Sequence, residues 1–189
     1  MPDVTPPAVP AGASASPRWT DPNGLLYRAP ASRTISNVLI AIAVAWAIQL
    51  ISELVALIRE FFWTIDDGPE ALPDAFGDFA DRGIVDPLLF FAGAGVLLVL
   101  VLPILPEAPL LRVLQRVAVA GVGGFVLLTI KGLITAIGYS TSGFYFGYFI
   151  NSWIGWPLIV AIGLTTMLAV GAAVAWALAG RKKAATPAT

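Results

Sequence analysis

The chain has 189 residues, 58% of them hydrophobic and 12% charged, with a net charge of −1. That composition suits one compact helical membrane domain with short extramembrane segments and leaves no room for a separate soluble domain. Histidine and cysteine are both absent, which removes the usual ligands of haem, zinc, copper and iron–sulfur centres, together with thiol catalysis and disulfides. No cofactor, metal site or nucleic-acid partner is expected.

Residues 1–17 hold five prolines among mostly small side chains, a composition that buries too little surface to offset chain entropy and predicts a disordered tail. About thirty polar, Pro- and Ala-rich residues precede the first apolar run, so this segment does not resemble a secretory signal. In 17–30, Trp19, Leu25, Leu26 and Tyr27 alternate with Arg18 and Arg28. Such a segment suits the headgroup layer, with docking on a partner as the alternative.

Four long apolar runs follow, at about 35–58, 87–105, 113–137 and 153–179. At about 1.5 Å per helical residue each crosses about 30 Å of hydrocarbon or nearly so, which predicts an all-α, four-helix transmembrane bundle over 34–180 and a basic tail over 181–189.

Eight of the twelve acids crowd the loop after the first run. Within it Asp74, Asp78 and Asp81 recur at helical spacing, with Phe76 and Phe79 three apart, which predicts a short amphipathic helix on the outer surface. A calcium site is the sharper reading of these acids, but the EF-hand spacing of oxygen ligands is missing. Asp86-Pro87 resembles a helix start, with an acid at the N-cap and proline at the first position. Pro103, Pro106 and Pro109 then predict a tight turn between the second and third spans. The last loop lacks charge but is rich in rings. Trp63, Tyr139, Tyr145, Tyr148, Trp153 and Trp156 are therefore expected in an aromatic belt at the outer membrane–water interface.

Arg18, Arg28 and Arg33 precede the first run, Arg112 and Arg116 separate the second from the third, and Arg181, Lys182 and Lys183 follow the fourth. The positive-inside bias therefore places both termini and the middle turn in the cytoplasm of a multi-pass cell-membrane protein. If Arg33 is laid on Arg112, Trp46 meets Phe125 and Ile58 meets Ile137, a faint echo of two parallel hairpins, although the second and fourth spans show no match.

Glu53 and Lys131 are ionisable residues inside apolar runs, where a lone charge costs several kcal/mol. Counted from Arg33 and Arg112 they lie at matching depths, about 28–30 Å from the cytoplasmic edge, which predicts an ion pair between the first and third spans. Separate snorkelling to the headgroups is the plainer alternative. Gly93 and Gly95 in the second span, Gly121, Gly123 and Gly124 in the third, and Gly163 and Gly171 in the fourth are expected at helix contacts.

No nucleophile with an adjacent base, metal cluster or intramembrane lipid-enzyme signature emerges. The expected function is non-catalytic: an accessory or assembly subunit that associates with lipid and with other membrane subunits or itself. A small oligomeric transporter or channel, using Glu53 and Lys131 at its outer mouth, is the alternative. It needs a polar path inward, and residues 123–128 below Lys131 offer none.

Overall fold

The computed structural model describes residues 31–64, 72–140 and 146–184. Every described residue outside 101–109 is helical. Four helices are long and apolar enough to cross a membrane: Thr34–Phe62, Pro73–Leu100, Leu110–Gly138 and Phe146–Arg181. In lipid no water remains to bond the backbone, so segments of this composition satisfy their N–H and C=O groups internally as helices.

Helix α1 is Ala31–Thr64, α2 is Leu72–Ala80, α3 is Asp86–Leu100, α4 is Leu110–Ser140, α5 is Phe146–Ile150 and α6 is Trp156–Ala184. A π turn at Asp81–Val85 joins α2 to α3, and another at Asn151–Gly155 joins α5 to α6. The bundle is a ring in which α1 packs on α3 and α6, and α4 packs on the same two helices. Helices α1 and α4 therefore lie on one diagonal. The ends of α1 and α4 near residues 31 and 110, with Leu100 and Ala184, form the basic end; α2, α5 and both π turns form the acidic end.

The second span corrects the sequence reading at both of its ends. Helix α2 does not stand apart from it, because Ala80 and Val85 both keep right-handed helical angles and the chain winds without a break from Leu72 to Leu100. Asp86 makes no side-chain cap and is buried inside that run. At the other end the helix stops at Leu100, and the Pro-rich turn folds into the bundle as a plug, with Leu102, Ile104, Leu105 and Ala108 buried.

A buried turn carries carbonyls that no helix satisfies, and side chains must answer them. The Asn37 amide donates to Ile104 O at 2.9 Å, the Trp176 indole to Ala108 O at 2.9 Å and the Arg116 guanidinium to Pro103 O at 2.8 Å. Helices α1, α6 and α4 each contribute one donor. Arg116, counted above as a topology signal, is fully buried in this role.

Both π turns have one cause. Asp86 N–H bonds Asp81 O, and Trp156 N–H bonds Asn151 O, each five residues back, and each is followed by a proline. In an α register the Pro87 and Pro157 rings would collide with the carbonyl four residues earlier and give it no N–H. Widening the turn relieves the clash but leaves carbonyls open. At the first elbow α1 supplies donors: Trp46 Nε1 to Gly83 O at 3.0 Å and Gln49 Nε2 to Arg82 O at 3.2 Å. At the second, Gly132 of α4 presses its bare Cα against the Ser152 and Trp153 carbonyls.

The two elbows supply the match that the second and fourth spans lack in sequence. With Arg33 on Arg112 and Pro87 on Pro157, Glu53 falls on Gly132 and Gly83 on Trp153. Glu53 does lie beside Gly83, as Gly132 lies beside Trp153.

Candidate functional site

The acidic end holds a cleft of about 330 Å³ whose walls come from both elbows and from α4. Lys131, one-third of the way down from the α4 end, projects into it. Its ammonium lies 2.8 Å from an Asp86 carboxylate oxygen and 3.4 Å from Asp81. Asp81 and Asp86 are five residues apart, one turn in a π register, so the widened helix puts both carboxylates on the side facing α4. The Asp86 side chain is 6% exposed and that of Asp81 is 61% exposed. The inner contact is thus a charge-assisted bond to a nearly buried carboxylate and the outer one a solvated pair, the stronger and weaker cases respectively.

Arg82, from the same turn, also lines the cleft. It bonds Asp78 at 2.8 Å, and its guanidinium lies 5.1 Å from the centre of the Trp156 ring on the opposite elbow. Leu128 and Val160 form part of the cleft wall, while Tyr148, Asn151 and Ser152 also line it. The groups present can hold charged or hydrogen-bonding ligands, and no cluster of three or more metal-ligating side chains occurs among the described residues.

No protein-family model, curated protein or solved structure matches the chain.

The predicted pair of Glu53 with Lys131 is corrected. Equal depth was the basis of that pairing, but α1 and α4 are diagonal neighbours, and the second span lies between them. Glu53 instead accepts a bond from Gln49 Nε2 at 3.0 Å, one helical turn back on α1. Asp81 and Asp86 were missed as partners because an apparent surface helix and N-cap placed them outside the bundle. The signal in the sequence was the proline at 87, which forces the turn that stacks them.

Most of the predicted small-residue contacts lie between helices. A side chain at Gly93 would strike the Gly123 backbone, one at Gly124 the Phe90 ring, one at Gly121 the Thr165 side chain and one at Gly171 the Ala41 carbonyl. At Gly123 a Cβ would fall 2.7 Å from Leu97, and at Gly95 3.2 Å from Ile42. Gly163 is a correction: nothing lies within 4 Å of its Cβ position, so no neighbouring helix approaches it closely. Gly132, absent from the expected set, makes one of the tight approaches, 2.6 Å from Ser152 O to its notional Cβ.

Of the expected aromatic belt, Tyr148 and Trp156 are exposed at the acidic end and Trp153 is half-buried against Phe149, ring centres 5.9 Å apart. Tyr145 lies outside the described residues, as do the side chains of Trp63 and Tyr139 and the 1–30 tail.

Proposed function

We propose that the chain is a non-catalytic integral membrane protein of the cell membrane, with both termini cytoplasmic, that serves as an accessory or assembly subunit of a larger membrane complex. The supporting observation is the uneven covering of its spans. Only 17% of the most apolar stretch of α1 is buried, against 44% for the second span and 33% for each of the others. Leu39, Ile51, Val55 and Phe62 of α1 are all more than half exposed. Lipid covers such a face adequately, yet in hydrocarbon a close-packed partner helix adds dispersion contacts that fluid acyl chains do not.

The orientation rests on the basic residues: Arg112 and Arg181 emerge at the same end as the plug, and the start of α1 lies there too. The interior argues for a scaffold over a conduit. Below Lys131 the cleft gives way to Phe90, Leu98, Leu164 and Leu168, all buried, and the basic end is filled by the plug. A transport path along the bundle axis would have to open all of that packing.

Gentle affinity purification from membranes, with mass spectrometry of the native particle, tests the reading. Stoichiometric membrane-protein partners, or a defined homo-oligomer, are the expected result. A particle of monomer mass across several mild detergents would overturn it.

A further inference from the structure

We propose that the cleft between the two elbows binds a small organic ammonium cation. This inference stands apart from the subunit reading, since a subunit or a solitary protein could equally carry such a site. Three observations converge on the cleft. The first is where it sits: both proline-interrupted turns, one from each half of the chain, face the same space of about 330 Å³. In secondary transporters, paired departures from α geometry in the two halves of a chain frame the substrate site, because irregular backbone is tolerated only where it lines a cavity or is buried in protein.

The second observation is the charge balance of the walls. Asp78, Asp81 and Asp86 stand against Arg82 and Lys131, so the lining carries one negative charge more than it neutralises. Lys131 makes its shorter contact, 2.8 Å, to Asp86, while Asp81 pairs with it at 3.4 Å and is well exposed. Asp81, held only by the longer and solvated contact to Lys131, is the carboxylate that turns toward a ligand at least cost. An anionic ligand would meet three carboxylates with both cations already engaged.

The third observation selects the kind of cation. The Trp156 ring already holds one: the Arg82 guanidinium sits 5.1 Å from its centre, reaching across from the opposite elbow. An indole face attracts cations through its quadrupole, and alkylammonium groups are among the ligands such faces recognise. Arg82 thus occupies the place a ligand ammonium would take. On binding, the ammonium lies between the Trp156 face and Asp81, Asn151 offers its amide oxygen, and Arg82 withdraws onto Asp78, to which it is already bonded. An ammonium of this type comes either from a free amine or from a lipid headgroup.

The test uses the full chain in nanodiscs of phosphatidylglycerol, which has no ammonium group, titrated with choline, with its uncharged isostere 3,3-dimethylbutanol and with dihexanoylphosphatidylcholine. Tryptophan fluorescence reports binding. Choline is expected to bind saturably and the isostere not to. Asp81→Asn, a change at an exposed side chain, is expected to weaken choline by about fivefold or more, and Trp156→Leu by a similar factor. Arg82→Ala is expected to tighten binding, because it removes the internal competitor. A short-chain lipid at least about tenfold tighter than choline identifies a headgroup as the source, and equal affinities identify a free amine. Binding of the isostere as tight as choline, no saturable binding of either ammonium compound, or weaker binding in Arg82→Ala would overturn the proposal.

Discussion

Lys131 on α4 and Asp86 at the start of α3 share a 2.8 Å ion pair in which the carboxylate is almost fully buried. Removing the lysine strands that carboxylate, whereas neutralising both partners leaves no uncompensated buried charge. Lys131→Met and Asp86→Asn should each lower unfolding stability in detergent by on the order of 2–3 kcal/mol, less than a fully buried pair because Lys131 is partly exposed. The double variant should cost clearly less than the two losses added. Glu53→Gln, whose partner is Gln49 on the same helix, should change stability by under about 1 kcal/mol. A cycle coupling Lys131 to Glu53 more strongly than to Asp86 would contradict the arrangement.

The first elbow makes a different kind of prediction, because its geometry is ascribed to one missing N–H. Trp46 donates to Gly83 O, the carbonyl that residue 87 would bond in an α-helix were it not proline. Trp46→Phe keeps most of the ring packing and removes the donor, so it should cost about 1–2 kcal/mol. In a Pro87→Ala background the backbone supplies its own donor, the turn can tighten to an α register, and the same Trp46→Phe change should cost much less. Equal costs in the two backgrounds would show that the proline does not cause the open carbonyl.

Four spans and the axial sorting of charge were legible in the sequence because length and composition alone decide them in lipid. Most of the glycine contacts were legible for a related reason, since close approach demands a missing side chain wherever it occurs. The partners of Lys131 were not. Depth along a helix can be counted from sequence, but which helix stands beside which depends on packing across the ring, so Glu53 matched Lys131 in height and missed it in azimuth. The plug was hidden by an ambiguity of the same residues: three prolines stop a helix equally well whether the turn faces water or folds inward. Only the scattered donors Asn37, Arg116 and Trp176, from three helices, mark it as buried.

Those donors distinguish two arginines that the sequence treats alike. Arg112 is exposed and bonds Gln115 at 3.0 Å, whereas Arg116, one helical turn on, is fully enclosed and donates to Pro103 O. Arg116→Met should destabilise the fold by about 2–4 kcal/mol, as it opens a buried carbonyl and breaks the bonds of an enclosed cation. Arg112→Met should stay within about 0.5 kcal/mol. Thermal unfolding of both variants in one detergent is the check, and comparable losses would mean that the plug does not depend on its guanidinium cap.

Gly132 and Gly163 give the sharpest contrast between a glycine that packs and one that does not. A methyl group at 132 would lie 2.6 Å from Ser152 O, 2.9 Å from the Pro157 ring and 3.0 Å from Trp153 O, and two of these three are backbone that can yield only by moving the elbow. Gly132→Ala should therefore destabilise by about 1–3 kcal/mol, the range for overpacking. At 163 the space is open, and alanine gains up to about 1 kcal/mol of helix propensity, so Gly163→Ala should be neutral or stabilising. Because Gly132 fixes the second elbow against α4, its variant should also disturb the cleft, seen as a shift in tryptophan emission from Trp153 and Trp156, while Gly163→Ala leaves the spectrum unchanged. If the two variants proved equally stable, helix α4 would not be seated against that turn, and the second wall of the cleft would lie elsewhere.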